Sequence, residues 1–303
     1  MRLGALGVIV AALFSQGCSL KKLTVSQTAG IFSDGIAAFH RESDIEFAAD
    51  AIPANLKTLE VFHMADPQEP QLLRLLAETT MSYAFGFIED QAEVLDNDDP
   101  EAAEHLRTRA LQLHLRARNF GLRLLARTMP KLADILRHDQ MPSDELLSKV
   151  SKDDLPGLYW SAAPWAAAIN AGRSEPSLIT QLPIVRRLME RCVAIDPQYY
   201  WAGPLMTLGA MDAVLPKALG GRPDLATKNF TQAIALTDGH HLMMQVLYAR
   251  MVGVQNSDRD LFERLLKQVL QADAAQEPDL TLTNRLAQRR AQRYLDRIDD
   301  LFL

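Results

Sequence analysis

The chain has 303 residues, 48% of them hydrophobic and 23% charged, enough apolar material for a large core, which excludes global disorder. Lys and Arg total 32 against 38 Asp and Glu, a formal charge of -6 that offers nucleic acid no long-range attraction. Two cysteines, Cys18 and Cys192, cannot build a disulfide-dense scaffold or a four-cysteine zinc site.

Residues 1–20 read MRLGALGVIVAALFSQGCSL: Arg2, an uncharged stretch from Leu3 to Phe14, then small and polar residues before a cysteine. This is the pattern of a secretory signal, and its apolar stretch is too short for a permanent bilayer span. Gly17-Cys18 resembles a bacterial lipoprotein processing site, where Cys18 becomes the diacylated first residue and several acyl chains make attachment stable. Ser15 and Gln16 depart from the residues usual before such a cysteine, so an ordinary secreted chain with a spectator Cys18 is the other reading. Ser19, and not Asp, follows the cysteine, which by resemblance to lipoprotein sorting rules implies an outer-membrane lipoprotein facing the periplasm. The expected division is a signal peptide over 1–17, a lipidated tether and docking segment over 18–42, and a single all-helical domain over 43–303.

From Asp44 onward apolar residues recur at three- and four-residue spacing, broken by Pro, Asp, Asn or Gly, with no sustained alternation; the chain reads as all-α. Ser43 to Met64 is a helix carrying Pro53, stopped by Asp66-Pro67, and Gln71 to Asp90 pairs with it as an antiparallel hairpin. The acidic run Glu89 to Asp99 lacks the glycine and final glutamate of a calcium loop; Asp99 as N-cap and Pro100 as first residue of a helix through Phe120 and Leu124 explain it as capping. Pro130 starts a short helix, and MPSDELL and SKDDLPG mark further boundaries.

Between Pro156 and Asn170, Trp160 and Trp165 alternate with small residues, a composition that suits either a ligand cleft or close packing between repeats. Tyr199, Tyr200 and Trp201, after Asp196-Pro197, leave the same two readings open: an aromatic ligand or partner surface, or packing. Ser177 to Ile195 reads as one helix in which Cys192 is a small core residue. Ala226, Phe230 and Ala233 are spaced like the packing residues of a tetratricopeptide second helix ending at Thr237-Asp238-Gly239, and Leu208-Gly209 partly matches the first. These degenerate repeats predict tetratricopeptide-like hairpins stacked in a solenoid, with a loop inserted at Leu219-Gly220-Gly221-Arg222-Pro223. Asp260 precedes LFERLLKQVL, and a last helix with Leu286, Ala287, Ala291, Tyr294, Leu295 and Ile298 caps the stack; its Arg285, Arg289, Arg290 and Arg293 are expected to meet solvent or acids, not nucleic acid.

No nucleophile elbow, dinucleotide or phosphate-loop fingerprint, or metalloprotease helix occurs. His40 with Glu42 and Asp44, and His240-His241, read as surface or capping groups, since adjacent helical histidines point apart and no third and fourth ligand stands near. No catalytic or metal residue and no cofactor is assigned; the one covalent group expected is the lipid on Cys18.

Several segments in order, GCSLKKLTVSQTAG, the stretch Phe39-His40-Arg41-Glu42-Ser43-Asp44, IPANLKTLE, ERCVAIDPQYYWAG, LGGRPDLATKNFTQAI, QNSDRDLFERLLKQVL and NRLAQRRAQRYLDRIDDLF, resemble the TatT-like T component associated with tripartite ATP-independent periplasmic (TRAP) transporters. The resemblance implies a periplasmic lipoprotein of tetratricopeptide-like hairpins that forms a homotrimer and associates with a TRAP-type substrate-binding protein. By the same likeness Asn55, Leu56, Gly220, Gly221 and Phe230 maintain packing and turns. The expected function is assistance in uptake of small organic molecules, hydrophobic ones among them, without covalent turnover; the alternative is a lipoprotein scaffold for cell-envelope assembly.

Overall fold

The computed structural model describes residues 20–214 and 221–302, so Cys18, Leu219 and Gly220 lie outside the described residues. The described residues are helical with no strand, which bears out the all-α reading. Residues 20–35 form α1, and α2 (Ala37–His40) follows as a single turn. Asp44 caps α3 (Ile45–Ala65) by accepting the Phe47 amide at 2.9 Å, and Glu69 caps α4 (Pro70–Tyr83) by accepting that of Leu72 at 2.7 Å. Pro53 stays inside α3.

The second expected helix runs further than its apolar pattern suggested. A five-residue π-turn, Ala84–Ile88, carries α4 into α5 (Glu89–Leu95). Such a turn inserts an extra residue and shifts which side chains face inward; the expected helix crosses it and, ending at Asp90, stops five residues short of Leu95. Asp99 and Pro100 open α6 (Pro100–Leu125) as expected, the carboxylate accepting the Ala102 amide at 3.0 Å. The short helices α7 (Pro130–Arg137) and α8 (Asp144–Ser148) lead into α9 (Leu155–Ala171).

The single helix expected over 177–195 is two: α10 (Pro176–Ile179) and α11 (Leu182–Ile195), separated at Thr180-Gln181, where the Gln181 side chain leaves to bond Trp165 and Asp139. Then come α12 (Tyr199–Asp212), α13 (Pro223–Leu236) and α14 (Leu242–Tyr248), which continues through a second π-turn at Ala249–Gly253. Asp258, not Asp260, caps α15 (Arg259–Gln271), because its carboxylate is the one that reaches the Leu261 amide, at 2.9 Å. A 3-10 turn, Pro278–Leu280, precedes α16 (Thr281–Asp296) and the terminal turn α17 (Ile298–Leu301).

Helices pack mainly on their neighbours in sequence: α3 on α4, α4 on α6, α6 on α9, α9 on α11, α11 on α12, α12 on α13, and α14 with both α15 and α16. The most extensive pair, α6 and α9, is held backbone to backbone by two glycines. Gly121 of α6 sits over the Trp160 carbonyl, and Gly157 of α9 over the Leu125 main chain. One apolar core includes Val25 and Ala29 of α1 and extends to Tyr294, with Cys192, Ala226 and Phe230 buried within it.

The last long helix returns to the beginning: α16 touches α2 and α3, and Arg41 pairs with Asp279 at 2.6 Å. Its basic face meets acids, as expected. Asp90 of α5 accepts from Arg290 at 2.8 Å, Arg293 at 2.8 Å and Arg289 at 3.0 Å, while Glu93 takes Arg293 at 2.7 Å and the Tyr294 hydroxyl. Arg290 also donates to the Phe85 carbonyl, within the π-turn, and lies over the Phe85 ring. The acidic run is thus explained by ion pairs more than by capping. Asp99 alone caps, whereas Asp96 pairs with Arg107 and Glu89 with the buried His114.

Candidate functional site

Three helices bring aromatic rings and one buried carboxylate together, and two more supply its polar neighbours. Tyr159 and Trp160 of α9 contact each other at 5.0 Å between ring centroids, Tyr199 of α12 lies 5.3 Å from Tyr159, and Tyr200 lies 4.7 Å from Trp160, edge to face. The Tyr200 hydroxyl donates to Glu78 of α4 at 3.2 Å. Arg74, one helical turn earlier, pairs with the same carboxylate at 2.5 Å and donates to Ser33 of α1 at 3.0 Å; His40 of α2 approaches from 3.3 Å. A buried carboxylate without partners is costly, and Glu78, inside an apolar helix face, has three. Burial pushes the Tyr159, Tyr199 and Tyr200 phenols well above the ordinary tyrosine range, Glu78 adding to this, so all three are neutral donors.

The backbone that delivers Tyr200 is unusual. Tyr200, Trp201 and Ala202 have φ of 46°, 56° and 55°, three consecutive left-handed residues without a glycine, at a cost of about 1–2 kcal/mol each. Gly203 follows because a Cβ there would stand 2.3 Å from the Tyr159 hydroxyl. His241, on the approach to α14, lies beside the Trp201 main chain. Its imidazole is buried, which depresses its pKa to about 4, and its Nδ1 has no partner among the described residues. The reading of His241 as a surface or capping group is therefore corrected: it follows a turn that carries it into the interior. His40 likewise reaches Glu78, while Glu42 and Asp44 do cap, accepting the Asp44 and Phe47 amides.

A histidine whose folded pKa lies below its unfolded value of 6.5 binds fewer protons folded than unfolded, so its contribution is complete above pH 6.5 and falls as pH drops toward 4. Burial lowers His63 in the same direction, aided by Arg123, which donates to its Nε2 at 2.9 Å. Urea unfolding across this range should show a loss on the order of 3 kcal/mol from His241 alone, and His241→Gln should flatten it. A second expectation concerns Tyr200→Phe, which keeps the ring and removes the donor to Glu78. A loss of about 2 kcal/mol in urea unfolding is expected; no change would mean that the hydroxyl contributes nothing to holding the turn.

Trp165 is not part of this cluster. It lies beneath Arg118, whose guanidinium carbon is 3.6 Å from its ring centroid, and its Nε1 donates to Gln181 at 2.7 Å; Gln181 and Arg118 both donate to Asp139. Trp201 is half-buried. Of the five aromatic residues singled out from sequence, the structure joins Trp160, Tyr199 and Tyr200 and separates Trp165. Sequence reasoning missed Tyr159, Glu78, Arg74 and Gly203, and set His40 aside as a surface or capping group. A signal existed in Glu78, a charge within the apolar stripe of Leu72, Leu75, Leu76 and Thr79.

Between α12 and α13, buried Asp212 accepts from Arg186 at 2.8 Å and Asn229 at 3.0 Å and pairs with Arg222 at 2.9 Å. Beneath α1 and α2 lies an apolar cleft of about 250 Å³, lined by Ile31, Phe32, Phe39, Leu59 and Leu75 with Asn55 as its polar group. A more open depression of about 510 Å³ lies between α5 and α6, beside Asp99, Glu101 and His105. Among the described residues no three His, Cys, Asp or Glu side chains are grouped to hold a metal ion, and no helix is long and apolar enough to cross a membrane.

These features define an all-helical protein whose ionisable groups hold and position helices around an aromatic interior. The chain belongs to the TRAP transporter T-component family, whose model matches residues 41–302. It is similar over 306 residues, at 25% identity, to an uncharacterized protein of Treponema pallidum (strain Nichols), covering 96% of this chain and 95% of that one. Family membership gives it an accessory role in TRAP transport and an association with the cell envelope.

Proposed function

We propose that the chain is a periplasm-facing lipoprotein, anchored by acyl groups on Cys18 after removal of residues 1–17, that docks a TRAP-type substrate-binding protein and assists passage or presentation of small organic ligands, hydrophobic ones among them. The family match over 41–302 is the observation that carries this reading. The helices that pack in sequence order support a tetratricopeptide-like stack over 43–303, with 18–42 as the anchored docking segment. The apolar cleft beneath α1 and α2 and the Tyr159, Trp160, Tyr199 and Tyr200 cluster suit uncharged molecules better than ions. Trp201 is the half-buried neighbour through which a ligand or partner would meet the cluster.

Periplasmic crosslinking and pull-down of the acylated protein should enrich a TRAP substrate-binding protein; repeated failure during active uptake would overturn the reading. The homotrimer is tested separately, by light scattering of the chain from residue 19 at several concentrations. A persistent monomer would remove that element alone.

A further inference from the structure

The apolar cleft of about 250 Å³ lies between the α1–α2 pair and the body of the protein. Phe32, Ile36 and Phe39, all half-buried, form its outer wall, and the buried Leu59 of α3 and Leu75 of α4 form its floor. The wall is fastened on both sides of the opening. Val25 and Ala29 are buried in the core and Ser33 accepts from Arg74 at 3.0 Å, while beyond the cleft His40 lies 3.3 Å from Glu78 and Arg41 2.6 Å from Asp279. Gly35 leaves the space open: it lines the cleft, and a Cβ there would meet nothing within 4 Å. Neither a left-handed backbone nor a close approach asks for glycine at this place, and within a helix it is less stable than alanine. Among the described lining residues Asn55 is the one polar side chain, and none is charged. The Asn55 carboxamide makes no hydrogen bond with any described residue.

We propose that this cleft binds a small neutral molecule, a short apolar chain or single ring that ends in one amide or hydroxyl group, with Asn55 holding the polar end. The proposal rests on the reading that the chain handles small organic ligands, and it gives them a place and a chemical class. Volume sets the size. An apolar cavity of about 150 Å³ accepts benzene, so 250 Å³ admits a ring or a short chain with a polar group added. Charge sets the class: a carboxylate or an ammonium would leave water here for walls that carry no opposite charge. The Asn55 carboxamide both donates and accepts, and a group that does the same, an amide or a hydroxyl, satisfies it fully. Ordered water is a poorer occupant, because it needs two to four polar partners and these walls supply one side chain. A mere packing gap does not account for Gly35, since a longer apolar side chain at that position would close the space and add burial.

The test is photoaffinity labelling of the full acylated protein in phospholipid nanodiscs, with hexanamide carrying an alkyl diazirine and the matching hexanoate as probes. Peptide mapping should place the amide's label on residues 31–39 and 55–59, with unlabelled hexanamide competing, and the carboxylate should label these segments about tenfold less. Asn55→Leu, which replaces the carboxamide by an apolar group of similar size, should cut the amide's label about tenfold. Gly35→Leu, which fills the cleft, should abolish it while circular dichroism shows the helices intact; if that variant does not fold, Asn55→Leu decides. Label confined to other segments, label that survives in folded Gly35→Leu or is unchanged in Asn55→Leu, or equal labelling by amide and carboxylate overturns the proposal. The wider reading fails separately. A protein that takes the amide in this cleft yet never enriches a substrate-binding protein loses the transporter role and keeps the site, whereas one that enriches that partner with the cleft unlabelled loses the site alone.

Discussion

Asp90→Asn is expected to destabilise the protein by about 3–5 kcal/mol, the cost of removing one partner from a buried ion cluster. The carboxylate is almost fully enclosed and serves Arg289, Arg290 and Arg293 at once, and Arg290 is itself nearly inaccessible. Asparagine keeps the volume but offers one neutral acceptor, leaving Arg290 with the Phe85 carbonyl and Arg293 with Glu93. At roughly 2–4 °C per kcal/mol, a fall of about 10 °C in the thermal midpoint should follow. Burial by itself would raise the Asp90 carboxyl; Arg290 and Arg293 outweigh that and hold it below the usual carboxylate range. A depressed folded pKa means that the stabilisation is present above the unfolded value near 3.8 and is lost as pH falls through the lower folded value. Acid unfolding of the parent chain should therefore extend below pH 4, and that lowest-pH phase should be missing in Asp90→Asn. An unchanged acid profile would show that the three arginines do not depend on this carboxylate.

Gly121→Val should be worse, preventing accumulation of the folded protein. A Cβ at 121 would stand 2.1 Å from the Trp160 carbonyl oxygen, 2.3 Å from its carbon and 2.5 Å from the Ser161 nitrogen. All three are main-chain atoms inside α9, so no side chain can turn aside, and α6 and α9 must separate along their whole contact. Gly157 makes the reciprocal demand, with a Cβ 2.7 Å from Leu125 Cα. Overpacking a core side chain costs about 1–3 kcal/mol; displacing a backbone pair adds the loss of the neighbouring contacts. Even Gly121→Ala should lose more than about 3 kcal/mol in urea unfolding. The informative comparison is Gly35→Ala, where nothing lies within 4 Å of the added methyl and the change should be neutral or mildly stabilising. Equal effects at the two positions would refute the close approach of α6 and α9.

The helical class was legible because capping and spacing are local: Asp99 with Pro100, and Pro130, declare their helix starts within a few residues. The misreadings lie where geometry departs from a constant 3.6-residue period. The apolar spacing crosses the π-turn at Ala84–Ile88 but stops at Asp90, short of Leu95, and Thr180-Gln181 breaks a helix without a glycine. The left-handed turn at Tyr200–Ala202 had only Gly203 to announce it. The site was legible in its rings but not in its charges. Trp160, Tyr199 and Tyr200 stand out by composition, whereas Glu78 gains meaning from Tyr200, 122 residues away, and from His40. Likewise the basic face of α16 predicts acidic partners, but nothing near it names Asp90.

That pairing of α5 with α16 spans about 200 residues of sequence, and this has a consequence in time. Synthesis proceeds from the N-terminus, so the π-turn and Asp90 exist long before the three arginines that neutralise it. Closing so long a loop costs only slightly more entropy than closing a short one, since the cost grows with the logarithm of length. Thermodynamics therefore tolerates the arrangement, while during synthesis the pairing cannot form until the chain has reached Arg293. Until α16 arrives, the carboxylate must stay hydrated and the first third of the chain must stay open along that edge. A chain truncated before Arg289 would be held in this open-edged state, with the greater part of its helices formed and its ends never joined.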